Sequence, residues 1–362
     1  MGSEAGRIQT EPERTLVRAR EAYWDGRTDD ALRLWRDLLA TPSRTRVPAD
    51  ALRWWMIVAC EDAERWGEAL RLAAEFGFDR SHPARFGLAR ALEQEPAREL
   101  EFEGGGTPHA FALEAGHWVV VRARVNGVEA RLLVDTGFSL TLIASDFADR
   151  AEVRRLGASV TISDAHGRSR PADVGLLESL SVAGAAARRW PVVVGDLGAI
   201  ESWTGPLDGV VGWDLLRRAT VTWNFPDRTL TLEPPGMLSG LAPVLSGRRA
   251  PMLECTSSDG HPLTLFLDTG YASRPATVVL HANAGVLDSK VDRKRFSRSL
   301  KPSFGAGMHS WRMRWPRRSK NWVLGFDGHE FVMPLALRRR EVSVFEGMQA
   351  CDGMLGVAPF LG

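Results

Sequence analysis

From about Glu13 to Glu103, apolar residues recur three and four positions apart, as in Ala31, Leu32, Leu34, Trp35, Leu38 and Leu39. That spacing gathers them on one face of a helix, and the scarcity of proline in these runs predicts helical hairpins. Gly104-Gly105-Gly106-Thr107-Pro108 then interrupts the pattern, and a domain boundary is expected there. From His117 the period becomes that of strands. Trp118 to Val125 is β-branched and aromatic, Asn126-Gly127 is a strong two-residue hairpin signal, and Val128 to Val134 runs back. The arrangement recurs: Met252 to Ser257 leads to Asp259-Gly260, and Pro262 to Leu267 returns. Gly127 precedes Asp135 by eight positions and Gly260 precedes Asp268 by eight, which marks an internal duplication. The expected fold class is therefore multidomain: all-α helical hairpins over residues 1–105, then a mainly β part in two lobes, 106–238 and 239–362.

Each returning strand ends in the same words, Leu132-Leu133-Val134-Asp135-Thr136-Gly137 and Leu265-Phe266-Leu267-Asp268-Thr269-Gly270. Downstream come Asp208-Gly209-Val210-Val211-Gly212 and Asp352-Gly353-Met354-Leu355-Gly356, again one copy per half. One Asp-Thr-Gly is a weak signal; two behind matched hairpins are a strong one. These residues resemble the aspartic peptidases, and Gly212-Trp213-Asp214-Leu215-Leu216-Arg217-Arg218 with the strand after it looks especially like the close of bacterial retropepsin-like domains.

The resemblance implies a bilobal peptidase fold over roughly residues 110 to 362, with Asp135 and Asp268 as a catalytic pair. Such a pair hydrolyses peptide bonds without metal or covalent nucleophile: a carboxylate takes a proton from the attacking water, and a carboxylic acid gives one to the developing oxyanion. Adjoining like charges cannot both ionise readily, so one pKa rises and the two share a proton. The resemblance further implies that Thr136 and Thr269 hydrogen-bond across the lobe interface, and that Gly137 and Gly270 let backbone approach the carboxylates. Gly212 and Gly356 would pack at the end of a helix-like turn behind each Asp. A substrate-covering hairpin is expected where Val160 to Ser163 and Arg170 to Val174 flank a polar tip containing Ala165, His166 and Gly167. The chain's two tyrosines are Tyr23 and Tyr271, so this hairpin has no tyrosine of the pepsin type.

Phe138 and Tyr271 follow the two motifs where pepsin-like members carry Ser or Ala. With no hydroxyl beside the carboxylates, a dyad pKa above that of pepsin and activity nearer neutrality are expected. In the second half Tyr271-Ala272-Ser273-Arg274-Pro275-Ala276 replaces the apolar Phe138-Ser139-Leu140-Thr141-Leu142-Ile143. An Arg274 turned toward Asp268 would hold that carboxylate ionised and leave a peptide-binding module, the alternative to a peptidase.

In the helical part, Gly26, Ala31, Trp35, Leu38 and Pro42 fall at offsets resembling a tetratricopeptide repeat, with Trp66-Gly67-Glu68-Ala69-Leu70 as a weaker copy. The two alanines are 38 positions apart, beyond the repeat's period of about 34, so the reading is helical hairpins of that flavour or a helical cap on the catalytic unit. Recruitment or gating of a protein substrate is the expected role.

Composition trims the alternatives. The 362 residues suffice for two or three compact units, and 44% hydrophobic with 25% charged residues is an ordinary globular balance. A net charge of +1 gives no whole-molecule attraction to nucleic acid. The segment from Lys290 to Lys320 is locally basic, with eleven Lys or Arg against Asp292, and reads first as a solvated excursion, then as a wall favouring acidic peptides, and last as a nucleic-acid surface. No stretch approaches the roughly 20 apolar residues of a membrane span. Met1 to Arg20 lacks the basic and apolar regions of a secretory signal, so a cytoplasmic address is expected. Cys60, Cys255 and Cys351 are odd in number and far apart, which suits buried hydrophobes rather than a disulfide framework or zinc site. The glycine run lacks the Lys-Ser or Lys-Thr of a phosphate loop, His-Glu-x-x-His and Gly-x-Ser-x-Gly do not occur, and the eight histidines are scattered. No metal or cofactor is expected, and two motifs in one chain imply a catalytic unit complete as a monomer.

Overall fold

The computed structural model describes residues 10–40, 47–81, 86–104, 106–163, 169–236, 245–247, 250–257, 260, 262–271, 278–282, 297–298, 303–307, 310–314, 317–326, 329–339 and 353–356. They form two compact units that meet in sequence between Glu95 and Pro96.

The first unit is helical: α1 (Glu11–Trp24), α2 (Thr28–Ala40), α3 (Ala49–Asp62) and α4 (Trp66–Glu75), then the short α5 (Phe78–Ser81) and α6 (Gly87–Leu92). Each of the first four packs on the next. The periodic positions face inward as the spacing requires. Ala31, Leu32, Trp35 and Leu38 are buried, and the Trp35 ring stands 6.0 Å from Tyr23 and 6.2 Å from Trp55. Gly26, at φ +81°, supplies the left-handed residue that lets α1 turn into α2.

The second unit begins with β1 (Glu99–Phe102), β2 (His109–Glu114), β3 (Trp118–Val125), β4 (Val128–Val134), β5 (Leu142–Ala144), α7 (Ser145–Arg150), β6 (Arg154–Ser163), β7 (Ser169–Val182) and β8 (Ala185–Gly195). After a 3-10 turn at Gly198–Ile200 come α8 (Glu201–Thr204), β9 (Gly209–Val211), α9 (Trp213–Leu216), β10 (Thr220–Asn224) and β11 (Thr229–Glu233). The second half contributes β12 (Leu245–Gly247), β13 (Ala250–Ser257), β14 (Pro262–Leu267), β15 (Val278–Ala282), β16 (Ser297–Arg298), β17 (Ser303–Gly307), β18 (Ser310–Arg314), β19 (Arg317–Phe326), β20 (His329–Arg339) and β21 (Gly353–Leu355).

The boundary expected at 105 is corrected to Glu95. Glu99-Leu100-Glu101-Phe102 is a strand antiparallel to β8, with Leu100 and Phe102 turned to the β core. A four-residue alternation is too short to be told from a helix by period, and pairing with a strand nearly ninety residues away decides it. The glycine run joins β1 to β2 inside the β unit. Gly106 adopts φ +57°, and Glu233 occupies the space a Cβ would need.

The duplication extends to the sheets. In the first half the order runs β3-β4-β9-β5-β8-β7-β6 with β3 also pairing β7; in the second it runs β13-β14-β21-β15-β20-β19-β16 with β13 also pairing β19. The same two pairs are parallel in each, β4 with β9 and β5 with β8, then β14 with β21 and β15 with β20. Asn126 and Gly127, at φ +49° and +83°, form the tight turn of the first hairpin, with Val125 opposite Val128. The first half adds β2, β10 and β11 at one edge and β1 beside β8.

Cys60 and Cys255 are buried thiols pushed up to about 12 by that burial, while Cys351 lies outside the described residues. Among the described residues no helix is long and apolar enough to cross a membrane.

Candidate active site

Asp135 directly follows β4 and Asp268 directly follows β14. Their backbone anchoring is the same: Asp135 N–H donates to Val211 O at 3.0 Å, and Asp268 N–H to Leu355 O at 2.9 Å. Each aspartate's carbonyl then closes a turn, accepting from Phe138 N–H at 3.2 Å and from Tyr271 N–H at 3.1 Å. A strand that must end at a parallel neighbour and turn back at once favours Asp, Thr and Gly, which tolerate or close turns.

The threonines tie the two turns together. Thr136 N–H donates to Thr269 Oγ1 at 2.9 Å, and Thr269 N–H to Thr136 Oγ1 at 3.0 Å. Each hydroxyl in turn donates into the other lobe, Thr136 to Leu267 O at 2.7 Å and Thr269 to Val134 O at 2.9 Å. Both side chains are 1% exposed, so these four bonds are shielded from competing water.

The glycines explain themselves by what a side chain would strike. A Cβ on Gly137 would lie 2.5 Å from Asp268 Oδ1, and one on Gly270 would press closer still on the Asp135 carboxylate. Each turn thus presents bare backbone to the opposite aspartate. Gly137 N–H donates to Asp135 Oδ1 at 2.7 Å and Gly270 N–H to the same oxygen at 3.1 Å. Asp135 is 8% exposed and Asp268 somewhat more open. Burial raises the pKa of both. For Asp135 the Gly137 and Gly270 N–H groups oppose the rise, whereas for Asp268 the facing charge of Asp135 adds to it and leaves it well above the usual carboxylate range.

Gly212 sits at the start of α9, not at the end of a helical turn as expected, because β9 delivers the chain straight into that helix. Its missing side chain leaves room for the Leu140 carbonyl carbon, 2.5 Å from where a Cβ would stand, and Trp213 N–H donates to Phe138 O at 2.7 Å. Gly356 is buried just after β21. The candidate flap strands pair as β6 with β7 as far as Ser163 opposite Ser169. Its tip residues Ala165, His166 and Gly167 lie outside the described residues, as do Arg274 and Pro275.

Several residues close to the site carried no motif of their own. Asp214, 4% exposed, accepts from Thr141 Oγ1 and from Trp190 Nε1, each at 2.9 Å. Thr141 also accepts from Gly212 N–H at 3.3 Å, so Asp214 braces the loop behind Asp135. Arg98 stacks on Trp190 at 4.4 Å and lies 4.0 Å from Asp214 Oδ2, while Arg218 stands 5.6 Å from the same ring. Burial pushes the Asp214 carboxyl up to about 6, against the pull of the Thr141 and Trp190 donors. Trp118, at the start of β3, donates from Nε1 to Gly270 O at 2.9 Å across the lobes. Asp214 stood inside the quoted Gly212 segment and Thr141 six positions after Asp135, but spacing alone gave no sign that they meet. Among the described residues no group of three His, Cys, Asp or Glu side chains is placed to hold a metal ion.

Residues 121–215 match the family model described as aspartyl protease. A retropepsin-like aspartic protease from Rickettsia conorii, known by crystal structure, is 22% identical over 38% of this chain and 94% of that chain, with a TM-score of 0.25. The search of curated proteins returned no match. The matched segment carries the first Asp-Thr-Gly turn and the Gly212 element, and the second half of this multidomain chain repeats its strand plan.

Proposed function

We propose that the chain is an aspartic endopeptidase in which Asp135 and Asp268 activate one water molecule between them. The observation that carries this is the reciprocal cradle: each lobe's glycine turn abuts the other lobe's carboxylate, and threonine bonds lock the two turns together. Two buried carboxylates in contact hold one proton between them near neutral pH. Backbone N–H groups reach both carboxylates, but the facing charge of Asp135 adds to burial at Asp268 and raises it the further, so the shared proton is assigned to Asp268.

In the forward step the Asp135 carboxylate takes a proton from water as the hydroxide oxygen bonds the peptide carbonyl carbon. The proton on Asp268 passes to the carbonyl oxygen as the C=O π bond breaks, giving a neutral tetrahedral diol. Collapse re-forms the carbonyl and breaks the C–N bond; the proton held by Asp135 goes to the leaving nitrogen and a diol hydroxyl returns one to Asp268. Raised carboxyl pKa values place the acid limb of such an enzyme above that of ordinary carboxylates. The helical unit would recruit or gate the protein substrate.

The test is cleavage of a peptide library by wild type, Asp135→Asn and Asp268→Asn. Loss of cleavage in both variants, by roughly 10³-fold or more, is expected for a unit acting together. Loss in only one points to a site assembled from two identical lobes of separate chains. A wild type that binds peptides without cutting them makes the fold a binding module.

A further inference from the structure

We infer that Trp118 is a positioning residue that, from the first lobe, fixes the second lobe's Gly270 turn against Asp135. The inference rests on the reading of Asp135 and Asp268 as a working pair. Gly270 has no side chain and no room for one, so its place is set by what its two flanking peptides touch. The peptide before it presents N–H to Asp135 Oδ1 at 3.1 Å. The peptide after it is gripped on both sides: its N–H, on Tyr271, donates to Asp268 O at 3.1 Å, and its carbonyl, on Gly270, accepts from Trp118 Nε1 at 2.9 Å. Without the indole, the carbonyl side of that peptide loses this bond.

The bond from Gly270 to Asp135 is longer than the one from Gly137, 3.1 against 2.7 Å, and it comes from the other lobe. It is therefore the donor whose aim depends on how the lobes meet. Trp118 is 2% exposed, so its N–H has little water to compete for the bond to Gly270 O. Among the described residues the grip is one-sided. At the matching place in the second half, strand register and sequence offset point to Ala250 and Pro251, neither with a side-chain donor. Titratable groups beside this peptide include Asp268, facing Asp135, Tyr271, whose N–H it carries, and His117, whose ring centroid is 4.8 Å from that of Trp118.

A donor to an ionised carboxylate stabilises that form, so a Gly270 N–H that drifts from Asp135 raises the pKa of the dyad's first ionisation. In Trp118→Phe the acid limb of kcat/KM should move up by roughly half to one pH unit, and kcat should fall by roughly three- to tenfold with KM little changed. Profiles are recorded below the melting temperature of the variant, where loss of packing alone lowers the amplitude and leaves the limb in place. As a reading free of turnover, the Gly270 amide resonance of wild type should titrate with the dyad, and that titration should shrink in Trp118→Phe. Superposed limbs or an unchanged amide titration overturn the inference while the peptidase reading stands. A wild type with no cleavage that Asp135→Asn removes overturns the peptidase reading instead.

Discussion

The two lobes share a strand plan and an Asp-Thr-Gly turn, yet the chain behind each turn is braced by different chemistry. In the first lobe Thr141, Trp190 and Asp214 form a buried hydrogen-bonded set with Arg98 alongside. The parallel ladders give their counterparts. Leu142 lies opposite Val193 and Val210, and Val279 lies opposite Ala336 and Met354, so Thr141 matches Val278 and Trp190 matches Met333. Asp214, two places after Gly212, matches Ala358, two places after Gly356. Every polar member is replaced by an apolar residue, as expected when a polar network must be kept whole or removed whole, since a half-satisfied one is costlier than either. The same register places Val279 four residues further beyond Asp268 than its match Leu142 lies beyond Asp135. By that register Val278 and Val279, rather than Arg274 and Pro275 as the sequence offset implied, are the counterparts of Thr141 and Leu142. The common part of the lobes is the Asp-Thr-Gly turn; the divergent part is what holds that turn still.

The sharpest way to break the symmetry of the turns is to fill one glycine. Gly270→Ala puts a methyl group into the Asp135 carboxylate, and Gly137→Ala puts one into that of Asp268. Displacement of either carboxylate by about an ångström should lower kcat/KM by roughly 100-fold or more, with circular dichroism little changed. If one variant keeps near-native turnover, the carboxylates are not equal partners in the step.

The first lobe's extra bracing gives the next effect. Deleting residues 1–95 removes the helical unit alone, whereas deleting 1–105 also removes β1 and Arg98. The longer deletion strips four residues of ladder from β8 and the guanidinium from Trp190, and should cost the β unit about 3 to 5 kcal/mol relative to the shorter one. Urea unfolding of the two truncated proteins measures it. Equal stabilities would mean that the first lobe does not use its added strand.

Much of the Asp-Thr-Gly turn was legible in the sequence because its constraints are local. A strand, a tight turn and an Asp-Thr-Gly depend on neighbours within about ten positions, and two copies made the pattern visible. The bracing was not legible for the opposite reason. Trp118 reaches an acceptor 152 positions away, and Thr141 and Asp214 are 73 apart. Trp190 reads in sequence as one more apolar strand residue, and only folding brings its N–H to Asp214. β1 was read as helix because Leu100 and Phe102 suit either period until β8 lies beside them.

Asp214 gives the subtlest distinction between the lobes, since it makes stability depend on pH in the first lobe through a group whose counterpart in the second is Ala358. Its folded pKa is raised to about 6 from an ordinary 3.8. The folded state therefore binds the proton more tightly than the unfolded chain does. The resulting stabilisation is full below about pH 4 and is lost as pH rises through about 6, a swing of roughly 2 to 3 kcal/mol. Asp135 and Asp268 are shifted in the same direction and add their own slope, so the measurement is a difference: denaturant unfolding of wild type and Asp214→Asn at pH 4 and pH 7. The wild type should lose more stability between the two pH values than the variant, which keeps the volume but no longer titrates. Parallel pH dependence in the two proteins would mean that Arg98, with the Thr141 and Trp190 donors, holds Asp214 ionised throughout, and that the first lobe is braced by a standing ion pair rather than by a carboxyl that titrates.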